Sequence, residues 1–542
     1  MRDALTKGPS GSAYRRLGEL LCAQGALTPE NLARGLDAQR RGGGRLGKCL
    51  LDLRLVTAPE LTSALIRQND LRVADLDASI TLLASEVSRG APGPGDGPVP
   101  LIRLADALIA KGVAMAASDL HIECASDGCL VRYRVHGLLA TAFRLPSPLH
   151  APLVSRFKIL ATLDISERRL PQDGAARVAK AGHTIDLRVS SLPTQHGEKV
   201  VARILDHSRA LLSLSALGFS SDDSGTVAGW LKRRTGIILV TGPTGSGKTT
   251  TLYAMINAIR EDRINIVTVE DPIEYSIPGI NQVQVHPEIG LTFARALRAI
   301  LRQDPNVILI GEIRDGETAE IAFRAAMTGH LVLSTLHTND APATIARLID
   351  LGVPRYLVAA QTTGVLAQRL VRALCPACRV QGRPPVSHLL QLNLPAAWCD
   401  DPTWWLPVGC DACGETGYQG RISLFETLVP ARTLREQIGA GASEHELRTS
   451  AVRSGMVSLL TDGLAKARAG LTTVEELGRV LESEESAVTL CDACRHVTPP
   501  GYAFCPFCGE RTAGTCGGCG HALLGTWTHC PACGHQRRTV PG

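Results

Sequence analysis

GIILVTGPTGSGKTTTLYAMINAI, Gly236–Ile259, decides the fold. Ile237–Thr241 is a short apolar run of the kind that forms a strand buried on both faces. GPTGSGKT follows at once, from Gly242 to Thr249. Leu252, Met255, Ile256 and Ile259 then fall on one helical face. Strand, glycine loop and helix form a phosphate loop. Its glycines let backbone N–H groups curl around phosphates, and the helix N-terminus adds positive potential. Gly242, Pro243, Thr244, Gly245, Ser246, Gly247, Lys248, Thr249 and Thr250 are the expected nucleotide contacts. Lys248 suits the β- and γ-phosphates of ATP, and the Thr249 hydroxyl suits Mg²⁺. A plain glycine turn before a helix is the alternative. Every fixed position of the motif, in the right context, argues against it.

Three later segments read as strand ends carrying polar groups, where an open α/β sheet places its site. In INIVTVEDPIEY, the strand Ile264–Val269 delivers Glu270, Asp271 and Glu274. In LRQDPNVILIGEIRD, Val307–Gly311 is the strand and Glu312 stands at its tip. In GHLVLSTLHTND, Leu331–Thr335 leads to His337. Phosphoryl transfer to water needs a positioned water, a metal and cations on the developing charge. Glu312 is expected to orient or activate the water. Glu270 and Glu274 suit Mg²⁺ held through its waters, and His337 suits a sensor of the γ-phosphate.

The chain has 542 residues, enough for several domains. An apolar fraction of 44% excludes general disorder. A net charge of +5 is mild and makes no case for nucleic acid or an anionic membrane. No apolar stretch reaches the roughly 18–20 residues a membrane span needs. The start, MRDALTKGPSGSAYRR, lacks the apolar centre of an export signal. A cytoplasmic protein, joined to membranes through partners, is expected. Six CxxC pairs take twelve of the 17 cysteines, which points to metal rather than disulfides.

Upstream lies a repeat. RLGELLCAQGALTPENLARGLDAQ (Arg16–Gln39) and RLGKCLLDLRLVTAPELTSALIRQ (Arg45–Gln68) align at an offset of 29 residues. Each copy reads as helix, turn, helix, capped near Thr28 or Thr57. Arg54 stands where the first copy has Gly25. GAPGPGDGPVP, Gly90–Pro100, is hinge-like in its Pro and Gly density. Leu101–Lys111 has helical spacing, and Leu130–Val135, Thr184–Val189 and Lys199–Leu205 read as strands.

GPTGSGKTT, VTVEDPIEY, LRQDPNVILIGEIRD and GHLVLSTLHTNDA, in this order, resemble the Walker A, Asp, Walker B and His boxes of one family. It is that of the type II secretion and type IV pilus assembly ATPases. ASDLHIE, VRYRVHG, RRLPQDGAARV and DLRVSSLPTQHGEKVVARIL extend the likeness upstream. LCPAC…GCDACGETGYQGRISLFE and GMVSLLTDGLAKARAGLTTVEEL extend it downstream, so that it spans about Leu101 to Leu481. One departure is His136, where the family has Asp.

The resemblance implies an α/β multidomain chain. Residues 1–15 would be a flexible N-terminus, 16–75 the tandem helical repeat and 76–100 a linker. Residues 101–210 would form a small α/β (PAS-like) domain and 211–371 a RecA-like P-loop ATPase core. A tetracysteine zinc insertion (372–420), a helical subdomain (421–485) and a double zinc ribbon (488–542) would follow. The resemblance further implies a homohexamer that hydrolyses ATP to drive pseudopilus or pilus assembly. Its nucleotide sites would lie between the small domain and the motor. It would sit at the inner membrane on a platform protein. Arg188, Arg203, Arg298 and Arg302 carry over by motif as cations for phosphate charge.

Cys375, Cys378, Cys410 and Cys413 match the family's insertion and suit structural Zn²⁺. Cys491, Cys494, Cys505 and Cys508, then Cys516, Cys519, Cys530 and Cys533, each read C-x2-C-x10-C-x2-C. Those units are too short to bury a core, so metal should fold them. The repeat resembles a domain that binds cyclic di-GMP in some of these ATPases, which would use Arg16, Leu17, Gly18, Arg45, Leu46 and Gly47. A helical docking domain is the alternative there. A nucleic-acid-stimulated motor gripping through the zinc ribbons is the rival for the whole chain.

Overall fold

The computed structural model describes residues 16–42, 46–88, 100–180, 183–206 and 212–481, with isolated positions between 489 and 536. Two compact units form. One is Met1–Arg209 with Cys410–Glu415; the other is Ala210–Gly409 with Thr416–Gly542.

The first unit opens with four helices: α1 (Leu17–Ala23), α2 (Pro29–Gly42), α3 (Leu46–Asp52) and α4 (Ala58–Ser88). The expected caps are present. The hydroxyls of Thr28 and Thr57 accept from the N–H groups of Asn31 and Glu60 at 3.3 and 3.4 Å. Leu21, Leu27, Leu50, Val56, Leu61 and Ala64 make the core. The repeat's glycine serves that core: a methyl on Gly18 would lie 2.4 Å from Leu32 Cδ1. Gly25 and Arg54 both end a helix in the left-handed region, at φ +73° and +53°. The linker expected from residue 76 is helical to Ser88. Ile80, Leu83 and Ala84 recur at helical spacing and join the next core, which gives the helix a reason to continue.

That core lies under α5 (Pro100–Ala114), α6 (His150–Leu160) and an antiparallel sheet. The strands are β1 (Asp119–Ala125), β2 (Gly128–Val135), β3 (Leu138–Leu145), β4 (Gln172–Lys180), β5 (His183–Thr194) and β6 (Gly197–Asp206). Their order is β3-β2-β1-β6-β5-β4. The period of two puts Leu120, Ile122, Val131, Tyr133, Ala202 and Ile204 inward. Asp119, His121, Arg132, Arg134, Arg188 and Arg203 alternate with them on the other face. The departure at His136 falls in the β2–β3 turn, at φ +50°, a conformation His tolerates better than most residues.

The second unit alternates strands and helices. It runs α7 (Ser221–Leu231), β7 (Gly236–Thr241), α8 (Lys248–Ile259), β8 (Ile266–Glu270) and β9 (Asn281–Gln284). Next come α9 (Phe293–Ile300), β10 (Val307–Ile310), α10 (Gly316–Met327), β11 (Leu331–Leu336), α11 (Ala341–Asp350), α12 (Arg355–Gln361) and β12 (Thr362–Leu374). After β13 (Val380–Gly382), α13 (Val386–Gln391) and β14 (Trp404–Leu406), β15 (Tyr418–Leu428) returns to the sheet. Helices α14 (Arg432–Ala440), α15 (Glu444–Arg453), α16 (Leu459–Arg468) and α17 (Val474–Val480) follow. The sheet order is β15-β12-β7-β11-β10-β8-β9, parallel except at β15. Strands β7, β8, β10 and β11 are buried along their whole length. The expected boundary at 371 cuts through β12, and the sheet recruits β15 from beyond the cysteine segment. That segment is therefore an insertion between two paired strands.

Candidate active site

Four chain segments converge at the C-terminal ends of the parallel strands, where the sequence placed them. Gly242–Gly247 links β7 to α8, whose first residue is Lys248. Pro243, Thr244 and Gly245 form an exposed crest, Ser246 is buried, and Thr249 and Thr250 are half-buried in the first turn. Two glycines are demanded by the backing strand β12. At Gly242, φ is +145° and a methyl would lie 2.5 Å from the Gln368 carbonyl. At Gly247, φ is +91° and a methyl would lie 2.8 Å from Gln368 Nε2. Gln368 also accepts from Thr251 Oγ1 at 2.7 Å, which ties α8 to β12.

Lys248 Nζ donates to the carbonyls of Gly242 and Pro243 at 2.7 and 3.0 Å. Its ammonium thus rests on the loop that phosphates would occupy. Burial lowers its pKa to about 8; Glu312 opposes the shift and Arg369 adds to it. Glu312, at the tip of β10, pairs with Arg314 at 2.5 Å and lies 3.5 Å from His337 Nε2. Burial, then Lys248, lowers the pKa of His337 against the pull of Glu312, so the imidazole is neutral at pH 7. The His337 loop is pinned to the phosphate-loop strand: Thr338 N donates to Thr241 Oγ1 at 3.0 Å. Lys248, Glu312 and His337 therefore form one electrostatic group.

Glu270 ends β8, at the strand tip the sequence indicated, but it is buried rather than open to the site. Its oxygens accept from Tyr253 Oη, Thr268 Oγ1 (2.6 Å) and Gln282 Nε2 (3.2 Å). Burial first, then the charge and hydrogen bond of Glu270, push the pKa of the Tyr253 hydroxyl up. Asp271 is exposed, 3.8 Å from Arg314, and Glu274 is half-buried in the following turn. Arg298, on α9, pairs with Glu317 at 2.5 Å on the surface; Arg302 is exposed. Arg188 and Arg203 face each other across β5 and β6 of the first unit. Sequence reasoning missed Tyr253, Arg314, Gln368 and Arg369. Arg369 Nη2 donates to the Asn339 carbonyl at 2.8 Å, bracing the His337 loop from β12. Only Arg314 had a local signal, two residues after Glu312.

The Sγ atoms of Cys375, Cys378, Cys410 and Cys413 lie within 4.8 Å of one another. Cys410 and Cys413 are 3.8 Å apart. Tetrahedral Zn²⁺ with Zn–S of about 2.3 Å requires sulfurs about 3.8 Å apart, so the donor set fits. Of the tail's eight cysteines, Cys505 and Cys533 are described, and the others lie outside the described residues. Arg45 lies outside them too. Leu17 and Leu46 pack on the helical core, and Gly47 abuts Leu61, so these positions have packing roles of their own.

A phosphate loop at the end of β7, a carboxylate at β10 and a histidine at β11, on a parallel sheet, define a P-loop ATPase. The profile of the family described as type II/IV secretion system protein matches residues 95–479. The type II secretion system protein HxcR of Pseudomonas aeruginosa is 48% identical over 381 residues, covering 70% of this chain and 77% of its own length. The type IV pilus assembly ATPase PilB of Myxococcus xanthus is 46% identical over 380 residues, covering 70% and 67%. The solved ATPase DotB of Yersinia pseudotuberculosis shares the fold, with a TM-score of 0.52 at 22% identity over 72% of this chain and 95% of that one. The chain belongs to the type II/IV secretion system protein family, whose members hydrolyse ATP. No helix among the described residues is long and apolar enough to cross a membrane.

Proposed function

We propose that the protein is a hexameric motor that hydrolyses ATP on the cytoplasmic side of the inner membrane. The motor drives assembly of a pseudopilus or type IV pilus through a membrane-embedded platform protein. The observation that carries this reading is the electrostatic group of Lys248, Glu312 and His337 at the phosphate loop, in a chain whose relatives serve secretion and pilus assembly. ATP would lie along Gly242–Thr250, with Mg²⁺ at Thr249 and, through its waters, near Asp271 and Glu274. Glu312 orients the attacking water, and His337 reports on the γ-phosphate from its side. Buried Glu270 braces the end of β8 against α8 through the Tyr253 hydroxyl. Zn²⁺ at the four clustered cysteines has a structural role, and the tail ribbons would hold two more ions.

The helical repeat would take cyclic di-GMP. Among its described candidates only Arg16 is exposed. Titration calorimetry of the full chain with cyclic di-GMP decides it, and absence of heat at tens of micromolar removes it. The motor itself is tested by Lys248→Ala and Glu312→Gln. Each should cut turnover at least about 10³-fold with an unchanged circular dichroism spectrum. Normal turnover in both refutes the site.

A further inference from the structure

Two thiols stand directly opposite one another at the closed end of the β1–β2 hairpin. Cys124 pairs in register with Cys129, one step before Ala125 and Gly128 close the turn at Ser126 and Asp127. The period of two puts both on the face that carries Leu120, Ile122, Val131 and Tyr133, toward α6. Neither belongs to a CxxC pair, and both are free thiols. Directly opposite residues hold their Cβ atoms about 4.5–5.5 Å apart, and closer at alternate pairs. A disulfide takes about 3.5–4.5 Å. A turn about χ1 and a small closing of the strands would therefore join the two sulfurs.

The thiols differ in access. Cys124 is half-buried at the rim of the core, while Cys129 is fully buried. Burial, and then the neighbouring Cys124, push the Cys129 thiol up to about 12, so it keeps its proton at pH 7. A third group meets Cys124. At Gly197, where φ is +147°, a methyl would lie 3.3 Å from Cys124 Sγ and 3.1 Å from His150 Cε1. Thiol and imidazole thus face the same glycine. His150 is 6% exposed, and its Nε2 is buried with no hydrogen-bond partner among the described residues. Burial lowers its pKa against the pull of the Glu198 backbone and charge, which leaves a neutral imidazole able to take a proton.

We infer that Cys124 and Cys129 form a peroxide-sensitive dithiol that closes reversibly to a disulfide across β1 and β2, with Cys124 attacking and Cys129 resolving. In the first step the Cys124 sulfur attacks a hydroperoxide. An S–O bond forms, the O–O bond breaks, and the Cys124 proton, taken by His150, ends on the departing oxygen as water or an alcohol. In the second step the Cys129 sulfur attacks the Cys124 sulfenic acid. The S–S bond forms, the S–O bond breaks, and the Cys129 proton leaves with the hydroxyl as water. Two thiols are oxidised and one peroxide is reduced. Only residues 125–128 lie inside the closed ring, so chain entropy holds it weakly and a small dithiol reopens it. Such a pair is open in a reducing compartment and closes under oxidant, as a sensor does. The ordinary alternative is two core thiols that never meet.

The test uses the full chain with zinc bound. It is treated with hydrogen peroxide, alkylated and digested with trypsin. Both cysteines fall in the peptide Gly112–Arg132, which holds no others. After peroxide that peptide should be lighter by two hydrogens and unalkylated, with zinc retained and the thermal melt still cooperative. Dithiothreitol should restore both alkylation sites. In Cys129→Ala, Cys124 should stop at the sulfenic acid, trapped by a 1,3-diketone. In Cys124→Ala, buried Cys129 should stay a thiol at the same peroxide dose. Full alkylation of both cysteines after peroxide overturns the inference. So does closure that appears only once zinc is lost and the melt has collapsed, because the bridge would then belong to an unfolded chain. Oxidation of Cys129 in Cys124→Ala as fast as that of Cys124 in Cys129→Ala overturns the assigned roles. Should a variant fail to fold, the peptide from the unaltered chain decides alone.

Discussion

The two sheets present their polar groups in opposite ways. In the antiparallel sheet of the first unit, one face is covered by α5 and α6, so the period of two lays charges across the other face. In the parallel sheet of the second unit both faces are covered and whole strands are buried. Only the strand ends are left, and Gly242, Glu312 and His337 follow β7, β10 and β11. Groups at those ends are locked by neighbours on several strands, as Gln368 locks the phosphate loop. Groups on the open face depend on one or two partners, as Arg203 depends on Asp119. Substitutions at locked ends should therefore act strongly, and those at exposed positions weakly unless the group meets a ligand.

The strongest test of that contrast is Gly242→Ala. The position has φ +145°, and the new methyl would meet a backbone carbonyl of β12 that cannot rotate aside. The loop must shift. A displacement of about 1 Å at a phosphate cradle can cost roughly a hundredfold in kcat/KM. Steady-state ATPase assays should show a loss of that order. Normal hydrolysis would mean that β12 does not fix the loop.

A smaller effect is expected from pH. Burial holds Lys248 at about 8 in the nucleotide-free protein, below its ordinary 10.5. Phosphates favour the charged ammonium, so ATP binding takes up a proton above pH 8. Affinity should weaken by up to about tenfold per pH unit there. Calorimetry at pH 8.5 in two buffers of different ionisation heat should register that proton, and identical heats would contradict the burial argument. The sign for stability follows from the same shift. Between about 8 and 10.5 the unfolded chain binds the extra proton, so this residue's contribution to stability rises with pH across that window.

Metal removal should act on the fold more than on the chemistry. Cys375 is buried and follows β12 directly, while Leu389, Leu392, Trp398 and Trp404 of the inserted segment share a core with Val371, Leu424, Leu460 and Leu464. Cys375→Ser should release one equivalent of zinc relative to the unaltered chain, measured by a chromogenic chelator after thiol modification. The Tm should fall by roughly 5 °C, as a loss of about 2 kcal/mol does in a unit of this size. An unchanged zinc count would disprove the assignment of this cluster.

What the sequence disclosed about the site was local. Strand, loop and helix at Gly236–Ile259 are adjacent in the chain, so periodicity and glycine spacing sufficed. The strand tips at Glu312 and His337 were legible for the same reason. Burial of Glu270 was not, because the hydroxyl that meets it belongs to Tyr253, 17 residues earlier on another element. Gln368 was invisible because β12 reaches β7 only through parallel pairing across more than a hundred residues. Strand β1 carries Asp119, His121 and Glu123 at alternate positions, which masked its apolar face. The helix through residues 76–88 was hidden by the glycines and prolines just after it; its apolar stripe at Ile80, Leu83 and Ala84 was the neglected signal.

Arg298 offers the smallest effect and the sharpest edge to the comparison. It belongs to the unit whose other site groups are locked, yet its side chain is 53% exposed and its partner Glu317 is 60% exposed. Such a pair is worth less than about 1 kcal/mol, because water screens it and two long side chains must be held still. Arg298→Ala should therefore shift the Tm by no more than about 2–4 °C and reduce kcat only a few-fold. A hundredfold loss of kcat at unchanged Tm would show that the guanidinium leaves Glu317 for phosphate charge during turnover. Exposure in the nucleotide-free protein would then mark a group waiting for its ligand, and the division between locked ends and open faces would hold only for the resting state.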